Sequence, residues 1–190
     1  MTKAIEAIEK ISYYIEKVLF CENHFMEKYV NTSIVNQDLL QKNVEYLKQK
    51  KIIIPTFKQL ANPKLIPQTI LDDLKNVDIN APNPLNLFRI SWHNDIKTGG
   101  FGDVNCVYPP PELTGIQSPI YVMLGKRFPT GCHKVGATFG PLVSRIVTGG
   151  FDPQTQKSIW PSTGNYCRGG AFNSTLLGCP AIAIMPENVS

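Results

Sequence analysis

The residues of this sequence that are best suited to chemistry lie in two short segments of its C-terminal third. The first, Thr130-Gly131-Cys132-His133-Lys134, ends on a lysine, and the second, Ser162-Thr163-Gly164-Asn165, joins two hydroxyl groups to a glycine and an amide. A lysine at a helix N-terminus meets the positive end of the helix dipole, and burial further favours its neutral, nucleophilic amine. We therefore interpret Lys134 as an amine suited to forming a Schiff base with an aldehyde.

The second segment has two compatible interpretations. Short hydroxyl residues and a glycine before a helix, such as Ser162, Thr163 and Gly164, are typical N-caps. The same geometry directs unpaired backbone N–H groups towards an anion. One loop can cap its helix and bind an anion at the same time.

Both segments are expected to connect a strand to a helix. Residues 118–124 are predicted to form a buried strand, followed by a helix over 133–148. Residues 157–160 are predicted as a short strand, 165–177 as the next helix and 181–185 as the following parallel strand. Ligands of open α/β sheets bind beyond the carboxyl ends of the strands. The pattern thus predicts an α/β fold with both segments at one ligand-binding edge.

Taken together, these segments resemble the fold type II pyridoxal-phosphate enzymes, which include the tryptophan synthase β subunit, cysteine synthase, threonine synthase and the serine/threonine dehydratases. Gly131-Cys132-His133-Lys134 is most similar to the tryptophan synthase β pattern. Ser162-Thr163-Gly164-Asn165 is more similar to cysteine synthase and the dehydratases, and it departs from the tryptophan synthase loop, which has glutamine and histidine. Cys179-Pro180 to Met185-Pro186-Glu187 matches the strand that follows in the whole group. The resemblance covers about a third of the chain, and three motifs in the right order are far more specific than one.

The resemblance implies a fold, a cofactor and roles for individual residues. The fold would be a partial parallel sheet with flanking helices, and the cofactor pyridoxal 5'-phosphate bound to Lys134. Asn165 would hydrogen-bond the phenolic oxygen of the cofactor ring, while Ser162, Thr163 and Gly164 would hold the substrate carboxylate. The reaction would be α,β-elimination or β-replacement on an amino acid. Lys134 would also be the general base for the α-proton.

Two nearby side chains have open alternatives. His133 would lie near the cofactor phosphate by the same resemblance, or it is a capping or packing histidine. Arg168 could meet an anion, although such an arginine more often packs along its own helix. The glycine-rich run at 99–102 lacks the lysine and hydroxyl residue of a phosphate-binding P-loop, so we interpret it as a mobile loop.

The first 80 residues are predicted to form a helical N-terminal extension. Helices are expected over 3–20, 22–30, 36–50 and 67–75, each with apolar residues at helical spacing. The apolar stripe of the first helix is Ile5, Ile8, Ile11, Ile15, Val18 and Leu19. Residues 81–190 would be the α/β core that carries the cofactor lysine, with a further strand at 87–93.

In the resembling family, the loop that cradles the cofactor phosphate follows well beyond the Met185-Pro186-Glu187 strand. We therefore expect the sequence to be an N-terminal fragment or half-subunit, incomplete as an enzyme without a C-terminal part or second chain. Alone, it should bind the cofactor weakly, and the full enzyme is expected to be a homo-oligomer. The alternative is a non-catalytic interaction or ligand-binding module that retains this lobe.

Composition narrows the remaining possibilities. A hydrophobic content of 43% and a charged content of 18% are those of a globular protein. The net charge of +4 is mild and the lysines are scattered, so nucleic acid is not an expected partner. No run approaches the ~20 apolar residues of a membrane span, so a membrane is not expected either. The five cysteines are an odd number without a CxxC pair, which favours reduced thiols in the cytoplasm. Cys132, His133, Cys167 and Cys179 fit no usual zinc spacing, so no metal is expected.

Overall fold

The computed structural model describes residues 33–188 and has a mixed α/β architecture. Its helices are α1 (Gln37–Gln49), α2 (Phe57–Ala61), α3 (Gln68–Leu74), α4 (Pro111–Thr114), α5 (Lys134–Val147) and α6 (Asn165–Leu176). Its strands are β1 (Cys106–Val107), β2 (Val122–Met123), β3 (Ser158–Pro161) and β4 (Ala181–Ile184). Four 3₁₀ turns occupy Pro63–Leu65, Pro84–Arg89, Gly125–Arg127 and Pro129–Gly131. The helices expected over 3–20 and 22–30 lie outside the described residues.

β3 and β4 form a two-stranded parallel sheet, joined by α6. A parallel pair needs a crossover connection, and a helix is the usual one. The register runs from Ser158 opposite Ala181 to Pro161 opposite Ile184. The strands predicted at 157–160 and 181–185 and the helix predicted at 165–177 are therefore confirmed.

Helix α6 covers one face of this sheet. The Trp160 indole N–H donates to the Ser174 hydroxyl at 3.0 Å, and the Ser158 and Ser174 hydroxyls lie 2.7 Å apart. A Cβ atom on Gly170 would collide with the Trp160 ring, so the absence of a side chain there lets α6 lie flat on β3. These buried polar contacts fix how the helix sits on the strand.

The described part of the N-terminal extension shares the core of the sheet and its helices. Leu47, Ile52 and Leu60 belong to the same buried cluster as Phe139 and Ile146. The fully buried amide of Asn43 in α1 donates to two backbone carbonyls at the end of α5 and just beyond, 2.9 and 2.8 Å away. The helices predicted over 36–50 and 67–75 are confirmed as α1 and α3.

Two predicted strands are wrong. The segment 118–124 contains only β2, which is exposed and pairs antiparallel with β1. Its β-branched and aromatic residues indicated a strand, but such a run does not show which faces are covered. The segment 87–93 begins inside the 3₁₀ turn Pro84–Arg89 and continues as further turns. The 3₁₀ turn starts there because Asn83 accepts from the Leu85 N–H at 3.0 Å and proline occupies the first helical position.

Buried polar groups hold the glycine-rich run and the segment leading to Lys134. The Arg89 guanidinium is almost fully buried and donates to the Gly99 carbonyl at 2.7 Å and the Leu74 carbonyl at 2.9 Å. The Asn94 amide bridges the carbonyls of Arg89 and Arg127, at 2.7 and 2.9 Å. The run at 99–102, expected to be a mobile loop, is thus tied to the core at its first glycine.

Candidate functional site

The loop before Lys134 has a left-handed backbone. Thr130 and Gly131 have φ angles of 66° and 72°, and a threonine rarely adopts a positive φ without help from tertiary contacts. That help comes from Asn80, whose side-chain oxygen accepts from the Thr130 N–H at 2.8 Å. Asn80 lies fifty positions earlier in the sequence, so a contact distant in the chain fixes where α5 begins.

Lys134 is the first residue of α5, and its side chain is exposed. No carboxylate pairs with its amine among residues 33–188. The burial expected for this lysine is therefore wrong for the described part of the protein. The cause is local: residues 118–124, which were to form a buried strand beside it, form the exposed β2 hairpin instead.

His133 is held by aromatic packing. Its ring stacks on Trp92 with centroids 5.8 Å apart, and Trp92 packs edge-on against Phe128 at 4.8 Å. A Cβ atom on Gly125 would lie 2.8 Å from the His133 ring nitrogen Nδ1, so a side chain at this position would displace the ring. His133 makes no side-chain cap for α5. Of the alternatives, packing is the role that the described contacts show.

The segment Ser162-Thr163-Gly164 connects β3 to α6. The Ser162 N–H donates to the Ile184 carbonyl at 3.0 Å and so extends the parallel ladder. Among residues 33–188, no side chain caps α6, so the capping interpretation of Ser162 and Thr163 is wrong there; the Ser162 hydroxyl accepts instead from the Gly164 N–H at 3.3 Å. The N–H groups of Asn165, Tyr166 and Cys167 therefore have no acceptor among the described residues, and the next N–H, that of Arg168, donates to the Gly164 carbonyl at 3.0 Å. Thr163 and Asn165 are exposed beside them.

The packing of α5 against α6 brings the two segments to one end of the domain. A Cβ atom on Gly169 would lie 2.8 Å from the Val135 nitrogen. One turn further along both helices, the Asn173 amide donates to the Thr138 hydroxyl at 2.8 Å and also to the Val135 carbonyl at 2.7 Å. Gly169 contacts Val135, and the later residue Asn173 contacts the later residue Thr138. Helices α5 and α6 therefore run parallel, and both N-termini lie at the same end.

This arrangement produces an open site that favours an anion. Lys134 begins one helix and Asn165 the other, and Asn165 lies one turn before Gly169 on the same helical face. Two parallel helix N-termini, each carrying about half a positive charge, reinforce the charge of the lysine. Arg168 is exposed in the first turn of α6 and adds a further cation. A carboxylate or phosphate is the natural ligand for these donors.

Sequence reasoning missed the residues that align the two helices. Gly169 sets the distance between them, Asn173 locks their register, and Asn80 fixes the loop before Lys134. One signal could have identified the first: paired glycines inside a helix are unfavourable by roughly 1 kcal/mol each, so Gly169-Gly170 indicates a close helix contact. Nothing local marks Asn80 or Asn173, because their partners are distant in the chain.

The cysteines and acidic residues of the described chain make no metal centre. Residues 33–188 contain no group of three or more histidine, cysteine, aspartate or glutamate side chains placed to hold a metal ion. Cys106, Cys132, Cys167 and Cys179 are free thiols. Burial raises the pKa of Cys179 to about 12, which keeps this thiol protonated and unreactive at neutral pH. Within the described chain, no helix has both the length and the apolar character that a bilayer span requires.

Comparisons with known proteins add no relative. No family model, no curated protein and no solved structure matches this chain.

Proposed function

We propose that this chain is the part of a pyridoxal-phosphate-dependent lyase or synthase that carries the cofactor lysine. It would act on an amino acid by α,β-elimination or β-replacement. The observation that carries the proposal is the parallel packing of α5 and α6, which puts Lys134 and Asn165 at the same end of the helix pair.

The residues present fit such a cofactor. The Lys134 amine is accessible and has no ion pair among residues 33–188, so it is available to an aldehyde. The unpaired N–H groups at the start of α6 can receive a carboxylate or a phosphate oxygen. A Cβ atom on Gly164 would meet nothing within 4 Å, so there is open space above the loop for a ligand.

Each residue then has a defined task. Lys134 would hold the cofactor through its amine and would serve as the general base for the α-proton of the substrate. Ser162, Thr163 and the Gly164 backbone bind the substrate carboxylate, and Asn165 orients the cofactor ring through one hydrogen bond. Electron withdrawal from the substrate α-carbon is the chemistry that the bound cofactor supplies.

Of the proposed site residues, His133 is the one whose described contacts least favour direct contact with the cofactor. Its ring is stacked on Trp92 and backed by Gly125, which holds it in one position next to Lys134. We assign it the phosphate side of the site. We also propose that the enzyme is a homo-oligomer in the reducing cytoplasm. A C-terminal part or second chain would supply the further groups that donate hydrogen bonds to the cofactor phosphate.

The experiment uses Cys132 as a reporter of ligand at Lys134. Cys132 is half-buried two residues before the lysine, whereas Cys106 has similar exposure on the separate β1–β2 hairpin. We expect pyridoxal phosphate to slow alkylation of Cys132 in proportion to site occupancy, with no effect on Cys106. Lys134→Ala should abolish this protection, while Lys97→Ala, an exposed lysine elsewhere, should retain it. Protection that persists in Lys134→Ala, or that is equal at both cysteines, would contradict the proposal.

A further inference from the structure

The parallel sheet has one covered face and one open face. The pairing of Ser158 with Ala181 places Ser158 and Trp160 on the face that α6 covers. Side chains alternate along a strand, so the next residues of both strands point the other way. The open face consists of Ile159, Pro161, Ile182 and Ile184. The three isoleucines are 56%, 41% and 51% exposed, respectively.

A groove continues this open face along the free edge of β3. It has a volume of about 420 Å³ and runs between β3 and α5, with Ile159 and Leu142 among its apolar lining. Two cations, Arg145 and Lys157, also line it. Together, the open face and the groove form an apolar surface with a basic border, which we call the isoleucine face.

We propose that residues 3–20 of this same chain dock on the isoleucine face as an amphipathic helix. The sequence places Ile5, Ile8, Ile11, Ile15, Val18 and Leu19 on one side of such a helix. From the first to the last of these residues, the stripe would extend about 21 Å, long enough to cross both strands and the groove. An apolar helix stripe and an apolar sheet face each need a partner of the same kind.

The point where the described chain begins favours this occupant. The Val35 N–H donates to the Thr148 carbonyl at 2.7 Å. The Val35 side chain lies 3.7 Å from the position that a Cβ atom on Gly150 would take. Gly150 is itself part of the groove lining. The twelve residues 21–32 can span up to about 40 Å when extended, so the helix can reach the isoleucine face from this anchor.

Charge favours the same occupant. On the helix predicted for residues 3–20, Glu9 and Glu16 are seven positions apart and fall along one border of the apolar stripe. Arg145 and Lys157 are exposed along the border of the isoleucine face. A docked helix can therefore align its acidic border with the basic border of the groove. A second copy of the chain would present its own Arg145 and Lys157 there, which is repulsive across a two-fold axis.

The test is hydrogen exchange on the full 190-residue chain, in one variant that changes the helix and a second that changes the sheet. In a variant with Ile8→Glu and Ile15→Glu, we expect the amides of β4 to exchange about tenfold faster than in the parent chain. In a second variant, with Ile182→Lys and Ile184→Lys, protection of residues 5–19 should fall by a similar factor. Leu113→Lys, which changes an exposed leucine in α4, is the matched control and should alter neither region.

A charge-reversal pair provides a second test if a variant that replaces these isoleucines does not fold. Glu9→Lys with Glu16→Lys should reduce protection of residues 5–19, and adding Arg145→Glu with Lys157→Glu should restore it. Reciprocal loss and rescue would support the docking. Two results would overturn the proposal. One is unchanged exchange of the β4 amides in the variant with Ile8→Glu and Ile15→Glu; the other is protection that rises with protein concentration as a dimer forms.

Discussion

A Cβ atom on Gly169 would stand 2.8 Å from the backbone nitrogen of Val135, the residue that follows Lys134. Side-chain carbons essentially never approach a backbone nitrogen that closely, so only glycine allows this contact between α5 and α6. The start of the lysine helix and the first turns of the Asn165 helix are thereby in direct backbone contact. The geometry of the candidate site depends on this one glycine.

We expect Gly169→Ala to destabilise the protein by about 1–3 kcal/mol, because the new methyl group forces the helices apart. The matched control is Gly136→Ala in α5, where the added Cβ would be 3.4 Å from Ile90 Cγ2, an ordinary contact. That change should be neutral or stabilising by up to about 1 kcal/mol, since alanine favours a helix. Urea unfolding of the two variants provides the measurement. If Gly169→Ala changes the free energy of unfolding as little as Gly136→Ala does, the helices can separate without cost and the prediction is wrong.

Asn173 should be a second anchor of this helix pair. Its fully buried amide donates to the Val135 carbonyl and to the Thr138 hydroxyl, so Asn173→Ala removes both bonds and leaves a cavity. We expect a loss of about 1–3 kcal/mol in the free energy of unfolding. Thr175→Ala, on the exposed side of the same helix, should change it by less than about 0.5 kcal/mol. A loss for Asn173→Ala as small as that control would contradict the anchoring role.

Acid should weaken the contact between α1 and the turn before β3. Burial raises the pKa of Asp152, but hydrogen bonds led by the 2.8 Å contact from Lys42 outweigh it, and the pKa lies below its ordinary value. A carboxyl group whose pKa is lowered by folding stabilises the protein above its unfolded pKa of about 3.9, and that stabilisation is lost as pH falls through the folded value. Asp152→Asn should therefore reduce the drop in melting temperature below about pH 4. An unchanged acid profile would exclude this carboxylate as a source of acid sensitivity.

Asn165→Ala should separate ligand binding from folding. The side chain is exposed and caps nothing among the described residues, so the free energy of unfolding should change by less than about 0.5 kcal/mol. If Asn165 hydrogen-bonds the cofactor ring, the absorption band of the bound cofactor should shift and its affinity should fall by about 0.5–1.5 kcal/mol. A large loss of stability together with an unchanged spectrum would show that Asn165 has only a structural role.

The sequence predicts the local elements of this protein better than their surroundings. The strand–loop–helix around Ser162-Thr163-Gly164 is predicted correctly, because β-branched and aromatic residues, glycine and a helical period all agree there. The buried strand at 118–124 is wrong, since burial depends on neighbours that no local pattern reveals. For the same reason, the sequence places Lys134 correctly at a helix start but misjudges its exposure.

The alignment of the two loops is the part that sequence reasoning could not supply. It depends on Gly169, Asn173 and Asn80, each of which acts through a partner at least 34 positions away or in another element. Hydrogen bonds between residues so far apart in the chain produce no periodic pattern in the sequence. The motifs predict which residues would form the site, and the packing of α5 on α6 places the two helix starts that carry them at one end of the domain.

The most direct test of the account is to identify the lysine that carries the cofactor. The full chain would be incubated with excess pyridoxal phosphate and reduced with borohydride, which fixes the pyridoxyl group irreversibly even when binding is weak, and the labelled peptides would then be mapped. We predict that Lys134 is labelled ahead of other exposed lysines such as Lys97, and that Ser162→Ala with Asn165→Ala reduces this preference. A label distributed evenly over the exposed lysines, or placed on another lysine with none on Lys134, would contradict the account.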